Sequence, residues 1–398
     1  MKSINICSAI EFFLILSIST SFIYKISGGT TILLGLFILY AIVSTKGKIP
    51  KKLTICVLTF LAFILVKSLS LTNGYVPYKP YWSIVPVIEN YVQIALLIVS
   101  LSCIEQVEPF KRKIRMFIVL YHLTLIVSII YMVLVSGYNV YRSGQATSIL
   151  FIAPQVFVYY AMIISLLLFY LIMSTRNKGL IFLLVINLLF IAMSQYLTQI
   201  IFTICAIGIL WVLMKVQNKL LTGILIIILS MIPFVFSDLV VLFLENMSNT
   251  MSNSPSIALR LNEIAALISG NVKNTVDLAG RFDLSAMSLD VFLKNPLFGV
   301  AFNQYNVAQV TVGGHAEWFD TLARLGIIGS VLLFLMMWQV RDVIFNFRDN
   351  SGYFEGVLIG IFIIYGFFNT FLTVYFVMIV YFSGKIKKHY AERISYER

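Results

Sequence analysis

Long apolar runs recur along nearly the whole chain, and they constrain its fold more than any other feature. The stretches 149–173 and 180–193, for example, consist mostly of Ile, Leu, Phe, Val and other apolar residues. A helix needs about 20 predominantly apolar residues to cross the hydrocarbon of a bilayer, and backbone polar groups in lipid must be paired within the spanning structure. With 60% hydrophobic and only 12% charged residues, the chain is predicted to be an all-α polytopic membrane protein.

The run lengths predict about 12 transmembrane helices in a single integral membrane domain covering 1–398. The last apolar stretch, Phe354–Phe382, is expected to form two short spans separated by a turn at Asn369-Thr370. One tilted helix there would carry the basic tail after Lys385 to the outer side, against the charge rule. The expected spans are 7–24, 29–44, 53–71, 84–104, 115–136, 149–173, 180–193, 200–214, 220–236, 322–340, 356–369 and 371–383.

Lys and Arg are concentrated in short loops, and these loops predict the orientation of the chain. Basic residues mark the cytoplasmic side of a membrane protein. An even number of spans separates successive basic loops, so the N and C termini are both expected to be cytoplasmic. The net charge of +12 therefore reflects membrane orientation, and no nucleic-acid partner is expected. The basic segments are 46–52, 111–115, 176–178, 215–219, 341–348 and the tail after Lys385.

One loop, 237–320, is much longer than the others and is expected to be extracytoplasmic, between spans nine and ten. Two segments in it, 257–268 and 281–293, repeat apolar residues at helical spacing. Such amphipathic helices lie along the membrane surface or over the mouth of a cavity. The predicted apolar stripes are Ile257, Leu261, Ile264 and Ile268 in the first helix, and Phe282, Ala286, Leu289 and Leu293 in the second.

Arginines on the outer side are the first candidates for chemistry, because a guanidinium binds phosphate through two parallel hydrogen bonds. Arg142 lies in the loop entering span six, and Arg281 follows Gly280 at the expected start of the second amphipathic helix. Their structural alternatives are an interfacial anchor for Arg142 and an ion pair with Asp277 for Arg281. Arg260, three residues before Glu263, is expected to form a solvated helical pair.

The stretch GGHAEWFDTLARLGIIG, from Gly313 to Gly329, holds the candidate base. His315 is the histidine expected on the outer side, where a group titrating near neutral pH suits proton transfer. His122 is expected to be packed within span five. If helix ten begins near Glu317, His315 and Gly326 share a face about three turns apart, and Gly326 lets a neighbouring helix approach closely.

The other charges of this stretch have a simpler structural interpretation. Asp320 and Arg324 are four residues apart in the favoured order for a helical pair. Glu317 and Asp320 also suit the positive end of a helix dipole. Two further carboxylates lie in other spans: Glu89, near the outer end of span four, could reach a cavity, whereas Glu11 is expected to be solvated at the cytoplasmic interface.

Three short motifs resemble the O-antigen ligase and polymerase family of bacterial membrane enzymes. Asn295-Pro-Leu-Phe-Gly299 matches the family's turn in the large outer loop, and His315 followed eleven residues later by Gly326 matches its His-x(ten)-Gly motif. Arg142-Ser-Gly-Gln resembles the Arg-containing earlier outer loop. The resemblance covers roughly 140–330 together with the twelve-helix topology. The chain departs from the family in having Ala316 after the His and no second Gly soon after Gly299.

The resemblance implies an enzyme of the bacterial inner membrane with its active site facing outward. Its donor would be an undecaprenyl-diphosphate-linked oligosaccharide, and neither a metal nor another cofactor would be needed. Arg142 and Arg281 would bind the substrate diphosphate, His315 would act as the base, and Glu317 and Arg324 would support His315. Glu89 is a further supporting candidate because of its position near the outer end of span four. Flippase and chain-length regulator proteins would be its partner proteins.

Several functions are compatible with these features. The first is polymerisation of O-antigen or capsular repeat units, in which a growing glycan is transferred to the next lipid-linked unit. The second is a ligase that moves the glycan to lipid A-core or protein. A 12-helix transporter or flippase is disfavoured, because the long loop lies outside after span nine and the loop after span six is only 174–179.

Overall fold

A computed structural model describes residues 6–20, 22–23, 26, 28–45, 51–69, 84–105, 110, 113–136, 152–216, 237–250, 255–269, 276–300, 312, 316–339, 341 and 352–397. Within these ranges there are 14 α-helices and no strands, which confirms the all-helical prediction. The helices are α1 Ile6–Ser19, α2 Gly29–Thr45, α3 Lys51–Leu69, α4 Ile84–Ile104, α5 Ile114–Tyr131, α6 Val156–Thr175, α7 Gly179–Met193, α8 Leu197–Lys215, α9 Ser237–Thr250, α10 Pro255–Ile268, α11 Val276–Lys294, α12 Glu317–Gln339, α13 Tyr353–Tyr365 and α14 Val374–Glu397.

Several helices are apolar enough for a membrane environment. Four segments of the described chain are also long enough to cross one: Ile114–Leu134, Val156–Thr175, Leu197–Lys215 and Glu317–Gln339. Five shorter apolar helices are Ile6–Ser19, Gly29–Ser44, Ile88–Ile104, Gly179–Met193 and Tyr353–Tyr365. These helices support the classification as a membrane protein. The expected span at 220–236 lies outside the described residues.

The predicted break in the last apolar stretch is present. Helix α13 ends at Tyr365 and α14 begins at Val374, so Asn369 and Thr370 lie between the two helices. A Cβ at Gly366 would lie 2.4 Å from the indole nitrogen of Trp318, so a glycine is needed where α13 ends against that ring. Helix α14 then continues through the basic segment that the sequence suggested was a tail.

The chain divides into two compact units. Unit 1 comprises Met1–Tyr121, Asp283–Asp349 and Ile363–Arg398. In it α2 packs on α1 and α4, α4 also contacts α3 and α14, and α3 packs on α12. The ring of Phe382 stacks on Phe117 at 5.0 Å between centroids and meets Phe110 at 5.1 Å. Since lipid tails are as apolar as these side chains, such packing stabilises through van der Waals contact.

At one end of unit 1, polar contacts are made by two carboxylates, Glu11 and Glu105. Glu11 accepts a hydrogen bond from the Tyr40 hydroxyl at 2.5 Å and pairs with Lys113 at 3.3 Å. Glu105 pairs with Lys385. The expectation that Glu11 is merely solvated is wrong, because its carboxylate joins the starts of α1 and α5 to the end of α2. These contacts bring together residues predicted to lie on the cytoplasmic side.

The opposite helix ends of unit 1 form a second polar region. The hydroxyls of Thr30 and Tyr375 are hydrogen-bonded, which joins the starts of α2 and α14. Thr31 donates to Glu89 at 3.3 Å, which joins the starts of α2 and α4. Asn90 donates to the carbonyl of Leu372 at 2.9 Å. This is the end at which the residues predicted to be outward-facing meet.

Unit 2 comprises His122–Phe282 and Asn350–Phe362. Here α6 packs on α7 and α8, and α9 packs on α10. His122 is buried, as predicted, and its Nε2 lies 2.9 Å from the amide nitrogen of Asn187. Arg260 and Glu263 form the predicted ion pair at 2.8 Å, but the pair is not solvated because only 2% of the Glu263 side chain is exposed.

Candidate active site at the start of helix α12

The residues proposed for catalysis and phosphate binding are only partly visible. Arg142 and His315 lie outside the described residues, so their roles stay predictions. Arg281 lies within α11, which begins at Val276. The prediction that Arg281 stands at the start of this helix is therefore wrong: five residues of helix precede it, including Asp277, which the sequence suggested as its ion-pair partner.

Asp320 links the start of α12 to α11. Its side chain is fully buried, and one carboxylate oxygen accepts a hydrogen bond from the Ser288 hydroxyl at 2.6 Å. The other oxygen accepts the backbone N–H of Ala316 at 3.2 Å. The first N–H groups of a helix have no partner within it, and the carboxylate satisfies one just before α12. Asp320 thus fixes the backbone next to His315.

Glu317 links the same helix start to the segment between α13 and α14. It is buried, and one of its oxygens accepts the backbone N–H groups of Phe371 at 2.9 Å and Leu372 at 3.0 Å. Its other oxygen accepts the Thr321 hydroxyl at 3.2 Å. The neighbouring Trp318 donates its indole N–H to the carbonyl of Ile363 at 2.7 Å. The helix start is therefore held from two sides.

Arg324 provides the positive charge that compensates these carboxylates. It donates a hydrogen bond to the Tyr91 hydroxyl of α4 and interacts electrostatically with Glu317 and Asp320. Removing one partner from a buried charged network leaves an uncompensated charge, which is strongly unfavourable. The predicted attraction between Asp320 and Arg324 is present, but it belongs to a buried network that joins α4, α11, α12 and the 371–372 backbone.

Helix α12 is kinked at Gly326, where the backbone adopts φ 62° and ψ −171°. The turn 295–299 packs its backbone directly into this kink. Ile327 donates to the carbonyl of Pro296 at 2.8 Å, and Val300 donates to that of Ala323 at 2.9 Å. A Cβ on Gly326 would lie 2.5 Å from the nitrogen of Gly299, and one on Gly299 would lie 2.5 Å from the carbonyl oxygen of Arg324.

The kink changes two predictions about Gly326. The predicted continuous helical face up to Gly326 is wrong for the described residues, because the helix begins at Glu317 and is interrupted at Gly326; His315 itself lies outside the described residues. Gly326 contacts the turn 295–299 instead of a neighbouring helix. The close helix approach occurs at Gly329, where an added Cβ would meet the ring of Phe63 of α3 at 2.5 Å.

Lys67 places a positive charge beside the turn 295–299. From the sequence it looked like an ordinary lysine at the membrane interface. Its Nζ lies 3.4 Å from the carbonyl oxygen of Gly299 and 5.8 Å from the centroid of the Phe298 ring. The supporting candidate Glu89 is exposed at the same end of unit 1. It accepts hydrogen bonds from Gln93 at 2.6 Å and Thr31 at 3.3 Å.

Replacing Glu317 with alanine should destabilise the protein by about 3 kcal/mol or more. The reason is that the N–H groups of Phe371 and Leu372 would lose their acceptor, at about 1–3 kcal/mol for each buried unsatisfied group. The measurement is the thermal unfolding midpoint in detergent. Asp290→Ala is the matched control, because that carboxylate forms an exposed pair with Lys294 of about 0–1 kcal/mol. Equal midpoints for the two variants would contradict the assigned role of Glu317.

The site therefore brings two short stretches, 295–300 and 316–328, together at one end of unit 1. These stretches include the turn motif 295–299 and Gly326, the glycine of the His-x(ten)-Gly motif, whereas His315 lies outside the described residues. Twenty-seven positions separate Gly299 from Gly326 in the sequence, yet their backbones are in direct contact. No protein-family model and no curated protein sequence matches this chain.

Proposed function

We propose that this chain is a metal-independent glycosyltransferase that polymerises lipid-linked oligosaccharide repeat units of O-antigen or capsule. The carrying observation is the contact between Gly299 and Gly326, with the turn backbone seated in the kink of α12. The turn motif and the glycine of the His-x(ten)-Gly motif, which are separate in the sequence, thereby pack against each other. The candidate base, His315, lies between Gly299 and Gly326 in the sequence and directly before Ala316, whose backbone N–H is held by Asp320.

The proposed reaction is a displacement at the anomeric carbon of the donor glycan. A hydroxyl of the acceptor repeat unit attacks this carbon while His315 accepts the hydroxyl proton. The bond between the anomeric carbon and the phosphate oxygen breaks, and undecaprenyl diphosphate leaves with the electron pair. Arg142 and Arg281 stabilise the negative charge on this leaving group. Inversion at the anomeric carbon is expected by analogy with the family.

The hydrogen bonds at the start of α12 support this assignment because they hold the backbone there in a fixed position. A catalytic group must be held close to its productive position by well-packed neighbours. Asp320 holds the backbone of Ala316, and Glu317 holds the segment that follows α13. His315 directly precedes Ala316 in the sequence, so it is joined to this anchored backbone. Arg324 and Glu317 serve this proposal as positioning residues, because their contacts are with the protein.

We further propose twelve spans with cytoplasmic termini in the inner membrane of a bacterium. The contacts of unit 1 support this arrangement. The starts of α2, α4 and α14 meet at one end through Thr30, Thr31, Glu89 and Tyr375. At the other end, residues near the ends of α2 and α4 and in the middle of α14 contact basic residues or carboxylates. In the proposed topology, spans two, four and twelve run in the same direction across the membrane. The contacts among α2, α4 and α14 agree with this shared direction.

The test uses purified full-length chain reconstituted in vesicles with lipid-linked repeat units from a strain that accumulates them. The proposed polymerase should convert single units into a ladder of longer glycans in EDTA, without nucleotide sugar. Transfer to added lipid A-core without a ladder would identify a ligase instead. Movement of the lipid-linked unit across the membrane without elongation would identify a flippase. Either of these two results would overturn the polymerase assignment.

A further inference from the structure

Helix α11 has three distinct faces over its unit 1 portion. One face is packed: Ser288 is fully buried on Asp320, and Val291 is 6% exposed. A second face is charged and open, with Asp290 and Lys294 paired at 2.6 Å and each at least 60% exposed. The third face presents apolar side chains, with Leu293 65% exposed. The part of α11 in unit 1 therefore has two exposed faces, one charged and one apolar, beside its packed face.

In a water-soluble protein, the apolar stripe of an amphipathic helix would be buried against the protein. In α11 the opposite is seen. The predicted stripe residues Ala286, Leu289 and Leu293 are exposed, while the polar Ser288 is buried. The stripe is therefore not the face with which α11 packs on unit 1. Large contiguous apolar patches are rare on surfaces that face water and mark contact with a membrane or partner.

The apolar surface continues from α11 onto a helix that is suited to crossing a membrane. The turn after α11 exposes Leu297 and Phe298. Its backbone is hydrogen-bonded to α12, since Ile328 donates to the carbonyl of Leu297 at 3.1 Å. Helix α12 is one of the four described segments long and apolar enough to span a bilayer. It exposes Ile327, whose N–H donates to Pro296 of the turn, and Val331, four residues further along the helix.

We propose that α11 and the turn 295–298 are an interfacial membrane anchor whose apolar stripe is covered by lipid acyl chains. The stripe adjoins the apolar flank of α12, and a spanning helix exposes such a flank to lipid. The charged edge of Asp290 and Lys294 lies beside the stripe, as is typical of helices lying at headgroup level. Of the two positions that the sequence allows for this helix, membrane surface and cavity mouth, the proposal is the membrane surface.

The anchor sets the depth of the turn that fills the α12 kink. Because Pro296 and Leu297 accept hydrogen bonds from α12, the depth of α11 and that of the helix start are coupled. The lipid assignment stands independently of the proposed enzymatic activity. If that activity is present, the coupling places the helix start at the level of phosphate-bearing headgroups.

The test is a depth measurement on the full-length chain in lipid nanodiscs that hold one copy each. The native cysteines 7, 56, 103 and 205 are replaced, and single cysteines at Leu293, Lys294 and Val331 carry an environment-sensitive fluorophore. Leu293 and Lys294 are neighbours on one helix, so they form a matched pair. The label at 293 should be quenched by lipid-borne nitroxides nearly as strongly as that at 331, and the label at 294 mainly by aqueous iodide.

Two results would overturn the proposal. Equal iodide quenching at 293 and 294 would place the stripe in water. Shielding of position 293 from both quenchers would mean that protein covers it, as a cavity lid would require. A cysteine at Leu297 provides a second reporter should the 293 variant fail to give monodisperse protein, and it must show the same lipid quenching. One-copy nanodiscs exclude shielding by a second chain.

Discussion

Gly326→Ala is expected to destabilise the protein by about 3 kcal/mol or more and to reduce the yield of monodisperse protein sharply. Two effects add. At φ 62° and ψ −171° the backbone lies in a region that is essentially restricted to glycine, and a side chain there is strained by about 1–3 kcal/mol. The new Cβ would also lie 2.5 Å from backbone atoms of Gly299 and Leu297. Overpacking against atoms that cannot rotate away adds about 1–3 kcal/mol.

The contact is reciprocal, so Gly299→Ala should have a similar effect. Its φ is 61°, and the added Cβ would meet the carbonyl oxygens of Ala323 and Arg324. Gly360→Ala is the matched control, because a Cβ there would meet nothing within 4 Å in helix α13. That change should be neutral or stabilising by up to about 1 kcal/mol. Thermal midpoints for the three variants check the prediction, and equal midpoints for Gly326→Ala and Gly360→Ala would contradict it.

The positions of the apolar helices were predictable from the sequence because lipid imposes one dominant requirement. Expected span 84–104 coincides with α4, and expected span 180–193 nearly coincides with α7. The break near Asn369 was predictable for another reason. It rests on where the positive charges at and after Lys385 should lie, and charge asymmetry acts over whole spans.

The details of the candidate site were not predictable in the same way, because they depend on contacts between distant segments. No local signal indicates that Ser288 faces inward on α11 or that its partner is Asp320, 32 residues away. The interval between His315 and Gly326 suggested one continuous helix, whereas the helix is kinked at Gly326, where the distant turn 295–299 packs against its backbone. The presence of Gly326 indicated that another backbone could approach closely there, but the sequence did not show that this backbone would be the turn 295–299.

The apolar period of α11 was predictable, but its environment was not. Periodicity identifies a stripe and leaves open whether protein or lipid covers it. The burial of Ser288 and the exposure of Leu293 show which face of α11 packs on protein, and lipid as the cover of the open face is our proposal. Helix α9, Ser237–Thr250, was missed because it immediately follows a long apolar run and carries several polar residues in its last turns.

His315→Ala is expected to reduce glycan elongation by about 10²–10⁴-fold, the usual contribution of a positioned general base. Because His315 precedes the first residue of α12, this change leaves the hydrogen bonds of Glu317 and Asp320 in place. The thermal midpoint should therefore stay close to that of the unchanged protein. His389→Ala provides a matched control, since it removes a histidine from the far part of α14 and should leave elongation intact.

The most direct measurement is the length distribution of lipid-linked glycans made by these three proteins in vesicles at equal protein content. The unchanged protein and His389→Ala should both produce a ladder, and His315→Ala should leave single repeat units. A full ladder from His315→Ala would contradict the proposed mechanism, and no ladder from the unchanged protein would contradict the proposed function.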